Sequence, residues 1–173
     1  MKRKGFTLIE LIVVIAIIGV LAAILIPVMM GYTTKSRIAS ANTSARDLNT
    51  AISIALLDLS HADFQIHKLN AAQPYNYTED DIVNAEDVRI TQLDTKDVAD
   101  MEKLIKKRIK DYFSSTFSVD EIAFHLEGGA STAIGIISNG YPGTYPIAIG
   151  AEDYLAKDGD WTAADALLYA MSK

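Results

Sequence analysis

The chain has 173 residues, half of them hydrophobic, with 22 acidic against 16 basic side chains and no cysteine. That length suits one membrane-type helix and a single domain of about 120 residues, with no second domain. The acidic balance argues against a broad nucleic-acid-binding face, which needs clustered Lys and Arg, and without cysteine the fold must close by means other than a disulfide.

The chain starts with the bases Lys2-Arg3-Lys4 and continues Gly5-Phe6-Thr7-Leu8-Ile9-Glu10. Then come twenty residues, Leu11 to Met30, that are apolar, glycine or proline. At 1.5 Å rise per helical residue this run covers about the ~30 Å of a bilayer's hydrocarbon core. The three bases predict that the leader stays cytoplasmic and the bulk of the chain is exported. A carboxylate beside such a span costs on the order of 2.5 to 3.5 kcal/mol at its centre and less near its end, so Glu10 calls for a positive partner. A cleaved secretory signal carries its small-residue processing site behind the apolar stretch. Met29-Met30-Gly31-Tyr32-Thr33 is a poor match for one, and Gly5 is the compact small residue between the charges and the apolar run.

Gly5-Phe6-Thr7-Leu8-Ile9-Glu10 resembles the processing signature of type IV prepilins at every position. The resemblance covers about the first fifty residues and is specific there. It implies that a membrane prepilin peptidase cuts between Gly5 and Phe6 and methylates the new amino terminus at Phe6. Residues 1–5 are then a leader, 6–30 the transmembrane and filament-core half of a long helix, and 31–173 the exported domain. Removing the leader leaves thirteen basic against 22 acidic side chains, a formal charge of −9. The resemblance further implies that Glu10 meets the Phe6 amine of a neighbouring subunit and fixes axial register. The new α-amino group has a reference pKa near 7.7 to 8, about right to be cationic, and a buried pair of this kind argues for registry better than for stability. Gly19 and Pro27 interrupt the apolar half, since proline lacks an N–H and glycine disfavours helix by roughly 1 kcal/mol relative to alanine. The family resemblance makes the stretch between them the part that loosens during assembly.

From Tyr32 to Ser60 there is no glycine or proline, and Ile38, Ala41, Ala45, Leu48, Ile52, Ala55 and Leu59 recur at spacings of three and four, the stripe of an amphipathic helix. Ala62 to Thr95 lacks sustained periodicity and reads as a connecting loop with short helical or strand pieces. Thr95-Lys96-Asp97 supplies a cap for a helix whose face is Val98, Met101, Leu104, Ile105, Ile109, Tyr112 and Phe113. Lys106, Lys107, Arg108 and Lys110 on that helix read as a solvated basic face. Three strands are expected, Glu121 to Glu127, Thr132 to Ser138 and Thr144 to Gly150, separated by Gly128-Gly129 and Asn139-Gly140-Tyr141-Pro142-Gly143. Trp161 to Met171 reads as a C-terminal helix capped near Asp160 or Thr162, available to close the domain in place of a disulfide.

The fold class expected is α+β, the type IV pilin fold: a long N-terminal helix packed on an antiparallel meander, with an additional helix and a C-terminal helix. No catalytic constellation or cofactor is expected, and His61, His67 and His125 stand without zinc-ligand spacing. Asp153, Asp158 and Asp160 around Gly159 offer oxygens of the kind Ca²⁺ takes, though not at EF-hand spacing, and an ordinary acidic turn is the preferred reading. The resemblance implies a structural pilus subunit, held in the bacterial cytoplasmic membrane and then assembled at the surface for adhesion, motility or DNA uptake. Its implied partners are other copies of itself, the prepilin peptidase, an assembly platform with its ATPase, and minor pilins. The alternatives are a pseudopilin of a secretion system and an exported domain on an uncleaved signal anchor.

Overall fold

A computed structural model describes residues 6–72, 74–93, 95–113 and 119–172. The chain divides into two compact units, residues 1–36 and 37–173. Helix α1, Leu8–His61, contributes to both.

In the second unit, Ile38, Ala41, Ala45, Leu48, Ile52, Ala55 and Leu59 are buried, joined by Ala51 and Leu56. Three- and four-residue spacing places them on one side of α1, and that side meets the sheet. The sheet has four antiparallel strands in sequential order: β1 Tyr75–Thr78, β2 Glu121–Glu127, β3 Ala130–Ser138 and β4 Tyr141–Tyr145. Side chains alternate across a strand. Ile122, Phe124, Leu126, Ile134 and Ile136 therefore point one way, into the core shared with α1 and with α3, Val98–Phe113. Ala123, Ala133 and Ile137 point the other way, against Ala163, Leu167 and Ala170 of α5, Ala163–Ser172.

Both faces of the sheet are covered, and the small residues of the second face show how α5 comes so close. A Cβ added at Gly135 would overlap the backbone of Ala163, Ala166 and Leu167. The C-terminal helix thus closes the sheet over an alanine- and glycine-rich surface.

The strand limits also depart from the sequence reading. Tyr75–Thr78, within the expected loop, pairs with β2 because Tyr75 stacks on Phe124 at 5.0 Å and Tyr77 meets it edge-on at 5.6 Å. Tyr75 donates its hydroxyl to Leu69 O at 2.8 Å. Burial, with Glu102 nearby, pushes that phenol up to about 12. The last strand begins at Tyr141 rather than Thr144. Asn139 and Gly140 have φ of 50° and 76°, the left-handed pair of a two-residue hairpin turn, so the chain reverses there. Pro142 is tolerated because β4 is an edge strand. Residues beyond Tyr145 leave the ladder, and a further short helix, α4, Ala151–Ala156, follows. Between β1 and α3 lies α2, Glu79–Val83, begun by Thr78 and Asp81 bonding to each other's backbone N–H.

Asn42 provides a polar tie between α1 and this C-terminal region. Its Oδ1 accepts from Thr144 N at 2.9 Å and Ile149 N at 3.3 Å, and its Nδ2 donates to Ile149 O at 3.0 Å. Thr144, 2% exposed, donates its hydroxyl to Ile147 O at 2.6 Å and accepts from Ile149 N at 2.8 Å. A Cβ on Gly143 would overlap the Ala41 backbone, so the strand lies directly on the helix. The edge N–H of β4 that would otherwise seek another strand is consumed by Asn42. The α5 end is held by Thr162 and Asp165, whose side chains bond reciprocally to backbone N–H groups, and by Glu121 Oε2, which accepts from Ala163 N at 3.1 Å. Lys157 lies 2.6 Å from Asp165.

Asn42→Ala removes four hydrogen bonds and leaves the Thr144 N–H and the Ile149 carbonyl without their side-chain partner, and is expected to lower stability by about 2 to 4 kcal/mol in urea unfolding. Asp165 titrates at about 2 against a reference of 3.8, held down first by Lys157 and then by the Thr162 hydroxyl and N–H. Its contribution is full above the unfolded value and is lost as pH falls through the folded one. Wild type is therefore expected to lose more stability than Asp165→Asn between about pH 4 and pH 2, read as the difference in thermal midpoints.

Candidate functional site

Residues 6–36 form the candidate site, and its shape is that of a bare apolar helix. Phe6 is 82% exposed, and the large apolar side chains from Leu8 to Met30 are likewise exposed. By length and composition this helix can cross a membrane, with a mean hydropathy of 3.3 over its most apolar window. A soluble monomer does not leave so large a continuous apolar surface in water, so lipid or other protein must cover it.

The helix is built with few polar liabilities. Thr33 and Thr34 both turn their hydroxyls back to Met30 O, at 2.9 and 3.2 Å. Gly19 has nothing within 4 Å of an added Cβ, so no packing in this unit demands a glycine there. Pro27 lies inside α1, which continues through it despite the N–H it cannot donate.

The helix start is where sequence reasoning missed a feature. Glu10, expected as a charge awaiting a positive partner, is engaged locally: its Oε2 accepts from Thr7 N at 2.8 Å and from the Thr7 hydroxyl at 2.7 Å. Glu10 N in turn points to Thr7 Oγ1 at 3.4 Å. Thr7 is the N-cap and Glu10 the third helical residue, so the pair is a capping box that satisfies orphan N–H groups where water is scarce. The signal was legible as Thr-x-x-Glu ahead of an apolar run. Both side-chain bonds go to Oε2, leaving Oε1 for another donor. Gly5, on the amino side of the expected cut, lies outside the described residues.

The remaining candidates are not brought together. Asp153 Oδ2 accepts from the Tyr169 hydroxyl at 2.9 Å, and the turn carrying Asp158 and Gly159 has φ of 51° and 75°. Among the described residues no group of three or more His, Cys, Asp or Glu is placed to hold a metal ion. His125 Nδ1 lies 3.0 Å from Thr132 Oγ1 beside a bulge in β2 and β3. The α3 bases, expected to face solvent, are matched from within the domain. Lys106 faces Asp81 at 3.6 Å, Lys107 reaches Asp87 and Asp111, Arg108 pairs with Asp58 of α1, and Lys110 donates to Ala85 O.

Residues 1–26 match the prokaryotic N-terminal methylation motif. The chain is 48% identical over 61 residues to a type IV major fimbrial protein, FimA, of Dichelobacter nodosus, covering 35% of this chain and 38% of that one. It is 48% identical over 56 residues to a fimbrial protein of Pseudomonas aeruginosa, 32% of this chain and 36% of that one. A third relative, the type IV major pilin protein PilA of Myxococcus xanthus, is 48% identical over 50 residues, 29% of this chain and 23% of its own. The chain thus spans less than two-fifths of the length of these curated relatives. No solved structure matches it. The chain thus carries the methylation motif and is similar in part to type IV pilins, and its long helix, antiparallel sheet and further helices are consistent with the α+β arrangement of the pilin fold.

Thr7→Val removes the cap and is expected to cost the helix start about 1 kcal/mol. The measurable result is faster amide hydrogen exchange over the first helical turn in detergent micelles, with the second unit unchanged.

Proposed function

We propose that this chain is a structural subunit of a type IV pilus, trimmed between Gly5 and Phe6 and polymerised through its N-terminal helix into a surface filament. The observation that supports it best is the pairing of a prepilin motif with an apolar helix that is exposed on every side. Lipid covers that helix before assembly, and neighbouring copies of it cover it afterwards. Burial among copies contributes about 25 cal/mol per Å² of apolar surface kept from water. A prepilin peptidase, the assembly platform and its ATPase are the partners this route requires.

Cleavage replaces the Gly5–Phe6 peptide by a cationic amine next to the capping box. Glu10 then has two duties. Its Oε2 stays on Thr7 and orients the carboxylate, while Oε1 and the negative charge are available to the methylated Phe6 amine of an adjacent copy. Satisfying both charges in an apolar medium costs less when a chain stops at one axial position than when it slides past, which gives registry. Gly19 and Pro27 mark the stretch of α1 that yields most easily as copies leave lipid for the filament.

The terminus and the filament test this separately. Mass spectrometry is expected to find a mature chain beginning at methylated Phe6, and Gly5→Val should retain the leader. Glu10→Val should be trimmed normally yet enter filaments poorly. Glu10→Gln keeps an acceptor for Thr7 and loses only the charge, so normal filament yield from it would assign Glu10 to capping and remove the registry role.

A further inference from the structure

Arg37 stands apart from the matched bases of α3. Its guanidinium lies 5.3 Å over the ring of Tyr141, and no carboxylate among the described residues comes within ion-pair distance of it. Tyr141 is half-buried and backed by Tyr154 of α4, ring to ring at 5.5 Å, so the surface that holds Arg37 is itself held. Arg37, Ser40, Ser138, Asn139 and Tyr141 line a recess of about 240 Å³. The carboxylate of nearby Asp120 already accepts from Gly140 N at 3.0 Å. An unneutralised guanidinium ringed by hydroxyl and amide groups fits a carboxylate, and the volume suits a side chain.

Suitable carboxylates stand on the adjoining turn. Gly159 lies against the Tyr154 hydroxyl, and Asp158 and Asp160 flank it, both exposed and without an ion pair among the described residues. Lys157, the base beside them, is taken by Asp165 and lies 5.0 Å over Trp161. Basic recess and acidic turn are therefore neighbours, linked through Tyr141 and Tyr154, yet they do not meet within one copy. A second copy turned and set beside the first can present its acidic turn to the first copy's recess and leave its own recess open for a third. That is a heterologous contact, the kind that propagates into an open filament.

We propose that the Arg37 recess receives the Asp158–Asp160 turn of a second copy of this chain, an inference that rests on the pilus reading above. A single exposed ion pair is weak and salt-screened, so the contact selects which neighbour docks rather than driving assembly.

The cysteine-free chain makes the test direct. Differently tagged Ser40→Cys and Asp160→Cys subunits, co-assembled and oxidised, should give a mixed disulfide dimer on a non-reducing gel, whereas Ser40→Cys with Glu127→Cys should not. Arg37→Glu should reduce filament yield severalfold, and adding Asp158→Lys and Asp160→Lys should restore most of it. Absence of the mixed dimer, or a wild-type yield from Arg37→Glu, overturns the contact. If Arg37→Glu does not fold by circular dichroism, the crosslink decides alone. Wild-type filaments without the mixed dimer remove this contact only, while wild-type cells that make no filaments remove the pilus reading and the contact with it.

Discussion

The stripe of α1 from Ile38 to Leu59 is the surface on which the second unit is built. Ala45, Leu48, Ile52, Ala55 and Leu59 are all at or below 1% exposure, and they meet both the sheet and α3. A helix can present such a stripe only while its three- and four-residue spacing stays in phase, and the absence of glycine and proline from Tyr32 to Ser60 keeps it so. Alanine within the stripe matters as much as leucine. At Ala41 the helix backbone is open enough for Gly143 of β4 to lie on it. That close approach is what lets Asn42 reach Thr144 and Ile149.

Closure without cysteine follows from two polar devices and one packing device. Asn42 ties the strand edge to the helix, Glu121 and the Thr162–Asp165 pair fix the start of α5, and Gly135 admits α5 to the sheet. The two polar devices satisfy backbone groups that a buried connection would otherwise orphan. The same economy operates at the far end of the chain, where Thr7 and Glu10 use an identical arrangement to begin a helix in apolar surroundings. Thr78 and Asp81 repeat it at α2. Reciprocal threonine–carboxylate caps are the recurring local solution of this protein.

Charge is distributed by the same logic. The α3 bases spend their charge on acids of α1, α2 and the connection after it, holding elements together instead of forming a free cationic face. Among the described residues Arg37, Asp158 and Asp160 take no part in that pairing. On the pilus reading, assembly would draw on two unlike regions: an apolar helix that water rejects, and an exposed Arg37 recess matched in charge to the Asp158–Asp160 turn.

The sequence by itself determined what is local and periodic. Prepilin motif, apolar run, α1 stripe, α3 and the extent of β2 were all readable, because a 3.6-residue or two-residue repeat and a contiguous motif need no knowledge of distant residues. The Thr7–Glu10 cap was readable too, as Thr-x-x-Glu, and was passed over because the carboxylate was read for its charge alone. Only tertiary structure decided the rest. Tyr75–Thr78 becomes a strand because Phe124 lies opposite it, β4 starts early because the turn closes at Asn139-Gly140, and the second sheet face is covered because Gly135 and two alanines leave room for α5. Asn42 is the clearest case. Its partners lie 102 and 107 residues away, and nothing in the pattern around it distinguishes it from any other polar residue on an exposed helix flank.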